Sequence, residues 1–285
     1  MTLSLKRTDY ALDIGAARVR AFEAGKGVVL DVPVEDLADV SSIRDRGERL
    51  AAVCRAALVR IGARGRFVSC VRRAVLSVPS GIGEVEKRVY EEAARLAGVP
   101  ESYLIESPMA AAIGGGGPVS KSEAVTVVDI GASRIQAAVI SLVGIVAWRE
   151  AVRADEVSPE RVGGLVRSVI SECIAKGRCN LADDIVRQGV LLTGGGALTP
   201  GLADSMQSAL NLPVRVADDP RLAVILGAGV VLGELDALAR ELDALARPKA
   251  KAPIPWTGLL IFAIVILSLC KKHGLINRVI DLFVR

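Results

Sequence analysis

AVTVVDIGASRIQAAVISLVGIV, residues 124–146, decides the fold. Its apolar run Val125 to Val128 reads as a strand, Asp129-Ile130-Gly131 as a turn, Ile135 to Ile140 as a second strand, and the segment around Ile145 as a third. In outline it is a phosphate-loop hairpin. A shorter copy lies near the start, where Tyr10-Ala-Leu-Asp13-Ile-Gly15 leads into Val19 to Phe22 and then Gly27 to Leu30. Two strand-Asp-Ile-Gly-strand units point to an internally duplicated fold.

The intervening chain alternates strands and helices. Arg73 to Val78 reads as a buried strand closed by Pro79-Ser-Gly81, Glu84 to Ala97 as a helix stopped at Gly98, Tyr103 to Ile105 as a strand, and Pro108 to Ile113 as a small-residue helix. Gly114 to Gly117 with Pro118 form a hinge-like break. After the central hairpin, Glu156 to Lys176 is helical, Val190 to Thr193 a strand leading into Gly194-Gly195-Gly196-Ala197, Pro200 to Leu210 a helix, Val214 to Val216 a strand, and Leu222 to Leu232 a last apolar helix. Aromatics are only 3% of the 285 residues, so aliphatic side chains must fill the core, as in α/β proteins with buried strands.

The net charge of +4 is unevenly spread: nine arginines and two acids lie between Arg44 and Arg73. Leu50, Val53, Ala57, Leu58 and Ile61 form one helical stripe that leaves Arg49, Arg55 and Arg60 outside, so a solvated helix face is preferred over an anionic partner. Without interleaved aromatics, nucleic acid is the weakest option. The five cysteines show no metal-ligand spacing and read as reduced structural thiols. The single histidine, His273, excludes histidine chemistry in the core. MTLSLKRTDY has no signal-peptide core, which leads to the expectation of a cytoplasmic globular part.

Past Glu234 the heptad ELDALAR occurs twice, to Arg247, placing Leu235, Leu238, Leu242 and Leu245 on one seam. A short coiled coil supporting self-association and a plain helical linker are both open. Ile254 to Cys270 carries no charge over 17 residues, about 25 Å as a helix at ~1.5 Å per residue. Trp256 stands at the interface position and lysines bracket the run, so a single membrane helix is expected, with Leu259, Leu260, Phe262, Ile266 and Leu269 facing lipid. Leu275 to Arg285 reads as a short interfacial helix.

Taken together, these stretches resemble the bacterial actin-like family, in its MreB branch and the magnetosome relative MamK. The matching residues are Asp13-Ile-Gly15 with Gly25 to Leu30; Val78-Pro-Ser-Gly81 through Arg88; Leu104-Ile-Glu-Ser-Pro108 through Gly114; Val127 to Gly131 with Val139 to Ile145; and Leu192-Thr-Gly-Gly-Gly-Ala-Leu198 through Pro220. The resemblance implies an α/β actin-like, ribonuclease H-like duplicated core that encloses ATP or ADP with Mg. By it the nucleotide-binding candidates are Asp13, Gly15, Ala16, Ala17, Asp129, Gly131, Ala132, Ser133, Gly194, Gly195, Gly196 and Ala197. Glycines let backbone N–H groups approach an anion closely.

The chain departs from the family pattern at four places. Ala16, Ala17 and Arg18 follow the first turn instead of hydroxyl and amide residues, and Ala132-Ser133-Arg134 replace Gly-Gly-Thr in the second. Ser107 stands where the resemblance places the glutamate that positions water, and a serine is too short and too weak a base for that task. The connections Pro33 to Arg44 and Val157 to Val190 are short for the family's outer subdomains. Arg18 and Arg134 either meet phosphate as compensating cations or sit in solvent. The expected organisation is a core reduced to two inner subdomains, 1–119 and 120–233, then a helical linker, 234–252, a membrane helix, 253–272, and a tail, 273–285. The expected function is a membrane-anchored, hydrolysis-deficient cytoskeletal scaffold or adaptor at the inner or magnetosome membrane. It would bind an actin-like filament and hold nucleotide shallowly, with no catalytic residue. An active polymerising ATPase is the alternative, and a small-molecule phosphotransferase a remote third.

Overall fold

The computed structural model describes residues 7–37, 43–64, 70–117, 123–141, 143–153 and 157–246. Alternating apolar residues build β1 (Thr8–Ile14), β2 (Arg18–Glu23) and β3 (Gly27–Pro33), followed by α1 (Arg46–Arg60), β4 (Val71–Val78), α2 (Glu84–Leu96), β5 (Ser102–Glu106) and α3 (Ser107–Gly114). The pattern then repeats: β6 (Val125–Ile130), β7 (Arg134–Ser141), β8 (Gly144–Val152), α4 (Pro159–Ala175), α5 (Ala182–Gln188), β9 (Val190–Thr193), α6 (Leu202–Leu210), β10 (Val214–Val216) and α7 (Ala223–Ala246). The strand orders β3-β2-β1-β4-β5 and β8-β7-β6-β9-β10 are the same arrangement used twice. In each, an antiparallel three-strand meander is extended by two parallel strands. The duplication expected from the two hairpins is therefore a duplication of whole sheets.

The period of two along each strand divides the core into three layers. Tyr10, Leu12 and Leu76 turn outward onto α1 and α2, meeting Val53, Cys54 and Leu58. Val128, Ile130, Ile135 and Leu192 turn outward onto α4 and α6, meeting Val162, Val166 and Met206. The opposite faces, carrying Ala11 and Val75 from one sheet and Val125, Val127 and Ile140 from the other, share a middle layer with α3 and α7. Each of these helices packs on the sheet of the other half: α7 lies on β1 to β4, and α3 on β6 and β7. Glycine makes their crossing close enough. A Cβ at Gly114 would stand 1.9 Å from the Ala223 carbonyl oxygen, and one at Gly227 1.9 Å from that of Ala110.

Element boundaries agree with the sequence expectation to within a few residues, with three differences. Helix α4 begins at Pro159, where the Ser158 hydroxyl accepts from the Arg161 N–H, rather than at Glu156. Helix α5 was not anticipated; seven residues with two aspartates give too short an apolar period to register. The last apolar helix and the heptad linker are one element, because nothing in Leu232-Gly-Glu-Leu235 interrupts a helix. Leu235 is buried in the middle layer, so the first leucine of the proposed seam belongs to the core.

The arginine-rich stretch is divided between exposed and internally used side chains. Arg49, Arg55 and Arg60 are exposed. Arg55 donates to the Leu96 carbonyl at 2.7 Å and Arg64 to that of Ala97, where the α2 C-terminus welcomes cations. Arg72 and Arg73 converge on the buried Asp9 at 2.7 and 2.9 Å. Cys54, Cys70, Cys173 and Cys179 are free thiols, and burial pushes that of Cys54 up to about 12. No helix among the described residues is long and apolar enough to cross a membrane. The membrane candidates Trp256, Leu259, Leu260, Phe262, Ile266 and Leu269, and the tail, lie outside the described residues.

Candidate functional site

Strand parity places the site. Asp13 shares the inner face of β1 with Ala11, and Asp129 shares that of β6 with Val125 and Val127, so the two carboxylates lie on the facing sides of the two sheets. Each is held by a hydroxyl on its parallel neighbour. Ser77 of β4 donates to Asp13 Oδ1 at 2.6 Å, and Thr193 of β9 donates to Asp129 Oδ1 at 3.5 Å. Directly opposite on the antiparallel neighbour stand Arg20 for Asp13 and Gln136 for Asp129. One strand further out stand Asp31 and Glu150.

The two copies thus carry equivalent polar ladders across three strands. In the second, Gln136 donates to Glu150 at 2.9 Å and Arg134 lies 3.4 Å from the same oxygen. In the first, Arg18 donates to Asp31 Oδ1 at 2.7 Å and to its carbonyl at 2.8 Å. Arg20 donates to Asp13 Oδ2 at 3.2 Å and approaches Asp31 to 3.2 Å. That second contact has ion-pair distance without hydrogen-bond geometry, since the buried Arg20 Nε has no hydrogen-bond acceptor. The one difference in charge between the ladders is Arg20 against Gln136.

The halves also feel each other. Burial pushes the Asp129 carboxyl up to about 6, the charge of Asp13 adds to the rise, and the Thr193 hydroxyl and Arg20 oppose it. Asp13, Arg20 and Asp129 therefore form one electrostatic group spanning the cleft. Trp148 of β8 closes one side: a Cβ at Gly81, in the loop after β4, would fall 1.9 Å from its ring.

The turn residues lie at the cleft rim. Ala16, Ala17, Ala132 and Ser133 are exposed tips of two-residue hairpin loops. The N–H of Gly15 is used by the Arg18 carbonyl at 3.0 Å and that of Gly131 by the Arg134 carbonyl at 2.9 Å, so neither glycine N–H points at a ligand. Gly194, at φ 80°, is packed against the Ile130 carbonyl and the Asp129 carboxylate, Gly196 against the Ile130 side chain, and Ala197 is buried. Gly195 is exposed with open space at its Cα. Of the sequence candidates, the tips and Gly195 are thus exposed at the rim, Asp13 and Asp129 lie deeper, and Gly194, Gly196 and Ala197 support the turn. Arg18 and Arg134, weighed as compensating cations, are instead paired with acids of their own sheets. Arg20, Ser77, Thr193 and Gln136 escaped sequence reasoning. A recoverable signal existed: Arg20 and Gln136 each lie seven residues after the repeated aspartate.

Ser107 opens α3, directly after β5, and its hydroxyl donates to the Val78 carbonyl at 3.0 Å. This contact ties the start of α3 to β4.

Two facing five-stranded mixed sheets, each ending in a helix packed on the other half, with paired Asp hairpins between them, define an actin-like α/β fold. The solved structures most like it include MreB5 of Spiroplasma citri bound to ADP, at a TM-score of 0.65 and 18% identity, covering 83% of this chain and 98% of that one. The same protein bound to AMPPNP gives 0.63 at 19% identity, covering 82% of this chain and 98% of that one. Ethanolamine utilization protein EutJ from Carboxydothermus hydrogenoformans gives 0.51 at 17% identity, covering 78% of this chain and 89% of that one. The MreB/Mbl protein family matches residues 58–158 and 152–240, and the chain belongs to that family. Curated relatives include the cell shape-determining protein MreB of Escherichia coli (strain K12), 28% identical over 332 residues covering 80% of this chain and 94% of that protein. Mbl of Bacillus subtilis (strain 168) is 24% identical over 328 residues, covering 82% of this chain and 98% of that one.

Proposed function

We propose that this MreB-family chain is a membrane-anchored, hydrolysis-deficient scaffold or adaptor that joins an actin-like filament to a bacterial inner or magnetosome membrane. The observation that carries the reading is Ser107. Its hydroxyl is committed to the Val78 carbonyl, so the position where the family resemblance calls for a water-positioning glutamate supplies a structural hydrogen bond. The exposed Ala and Ser tips add Cβ atoms where close backbone approach to phosphate is needed.

A reduced core fits the same picture. The alignment with Escherichia coli MreB runs over 332 positions while using 80% of a 285-residue chain, so that relative carries segments with no counterpart here. The short connections Pro33 to Arg44 and Val157 to Val190 support placing such missing segments there. Without outer walls a nucleotide would rest on the backbone of Ala16–Ala17, Ala132–Ser133 and Gly195 alone. The family's Mg does not fit the cleft without its nucleotide: the Arg20 guanidinium already sits 3.2 Å from Asp13 and repels a divalent cation there. The apolar run 254–270, bracketed by lysines, supports the anchor, with the folded core proposed on the cytoplasmic side.

The test uses the full chain in lipid vesicles. Flotation with the membrane, capture of a polymerised MreB-type filament, and no phosphate release from MgATP above the rate of an Asp129→Ala variant are expected. Turnover at MreB-like rates, abolished by Asp129→Ala, would establish the polymerising ATPase instead. Failure to float would remove the anchor.

A further inference from the structure

We propose that Arg20 is a resident counter-ion for the cleft: its guanidinium, held on Asp13, does the electrostatic work of a divalent cation there, so the apo protein recruits no metal at that carboxylate. The inference rests on the cleft being the family's nucleotide cleft, and is independent of the membrane and scaffold roles.

The argument begins from the asymmetry of the duplicated ladders. Everything else in them is matched in kind: Asp13 with Asp129, Ser77 with Thr193, Arg18 with Arg134, Asp31 with Glu150. Only at the residue directly across from the aspartate does one copy carry a cation and the other a neutral amide. Arg20 is not a surface arginine folded inward by chance. Its side chain is 13% exposed, it grows from the inner face of β2 beside Phe22, and it lies between two carboxylates of its own sheet. Strand register fixes it there, because the inner positions of β2 are the even-numbered residues, with Val19 and Ala21 packed in the outer core.

A buried carboxylate such as Asp13 is stabilised by a positive charge beside it, and Arg20 supplies one. Asp13 has one oxygen on Ser77 and the other on the Arg20 guanidinium, whose positive charge repels a divalent cation approaching the same carboxylate. Arg20 also acts on Asp129 through space, against the repulsion from Asp13. A divalent ion entering this space would have to displace a tethered guanidinium and would then sit beside it. Arginine is permanently charged, so the arrangement persists across the physiological pH range.

The experiment is a titration of the full chain in detergent with Mn²⁺ followed by electron paramagnetic resonance, in which bound Mn²⁺ loses its free-ion signal. The wild-type chain is expected to leave the signal unchanged, with the same melting temperature in EDTA and in Mg²⁺. Arg20→Gln, which installs the residue of the second ladder, is expected to gain a site that Mg²⁺ competes for and that Asp13→Asn removes. The proposal is overturned if the wild type binds one Mn²⁺ that Asp13→Asn abolishes. It is equally overturned if folded Arg20→Gln binds no more Mn²⁺ than wild type. Should Arg20→Gln not fold, Arg20→Met takes its place and is read against the same two outcomes. ATP turnover would sink the scaffold reading and not this one, since the metal probe is read without nucleotide.

Discussion

Asp129 shows how a single carboxyl reports on the whole cleft. Its folded value, raised to about 6 by burial and by Asp13, lies above the ordinary aspartate value of about 3.9. A raised carboxylate favours the protonated form in the fold, so its stabilising contribution is complete below pH about 4 and is lost as pH rises through about 6. Asp129→Asn should therefore raise the melting temperature at pH 8, by several degrees for an effect on the order of 2 kcal/mol, and leave it nearly unchanged at pH 4. Equal effects at both pH values would show that the charge is not the cause. Ser107→Ala is expected to cost about 1 kcal/mol in denaturant unfolding, the ordinary value of one hydrogen bond, without altering nucleotide turnover. The aspartates themselves were readable from their repeated Asp-Ile-Gly setting. Their partners were not, since Ser77 and Thr193 meet them across parallel strands 64 residues away in sequence.

Among the elements, α3 and α7 carry the joint between halves, and their crossing depends on two absent side chains. Gly227→Ala would drive a methyl into the Ala110 carbonyl, and a loss of at least about 3 kcal/mol is expected in equilibrium unfolding. Gly164→Ala is the control: it lies inside α4 with no atom within 4 Å of the new Cβ, so it should stabilise by up to about 1 kcal/mol. Strands were legible because runs such as Val127-Val128 and Ala138-Val139-Ile140 leave little choice of period. The glycine contacts were not: Gly114 read as part of a hinge from its neighbours, whereas the structure uses it inside a helix for close approach. Nor did the heptads reveal their continuity with α7, because Leu235 satisfies both a coiled-coil seam and a core position.

For the whole molecule, the shared middle layer predicts one cooperative unit. In a full chain carrying Trp256→Phe, Trp148 is the sole indole, and it lies on Gly81 of the opposite half. Its emission and the far-ultraviolet circular dichroism should unfold along one curve; two separated transitions would mean that the halves melt independently. The duplication at this scale was visible from two short hairpins. The departure from symmetry at Arg20 was hidden, because a sequence repeat draws attention to what is kept. Pairing Arg18 and Arg134 by likeness passed over the position two residues on, where the copies differ.

Helix α7 has a mechanical consequence. It is packed in the shared core as far as Leu235 and runs unbroken to Ala246, a rod of about 16 Å beyond the core at ~1.5 Å per residue. A tilt of about 10° at the last core contact would swing its free end by roughly 3 Å. The chain therefore contains a pointer seated between the two halves, whose tip is the start of the segment leading to the apolar run, so strain and position are exchanged between the two along a single stiff shaft.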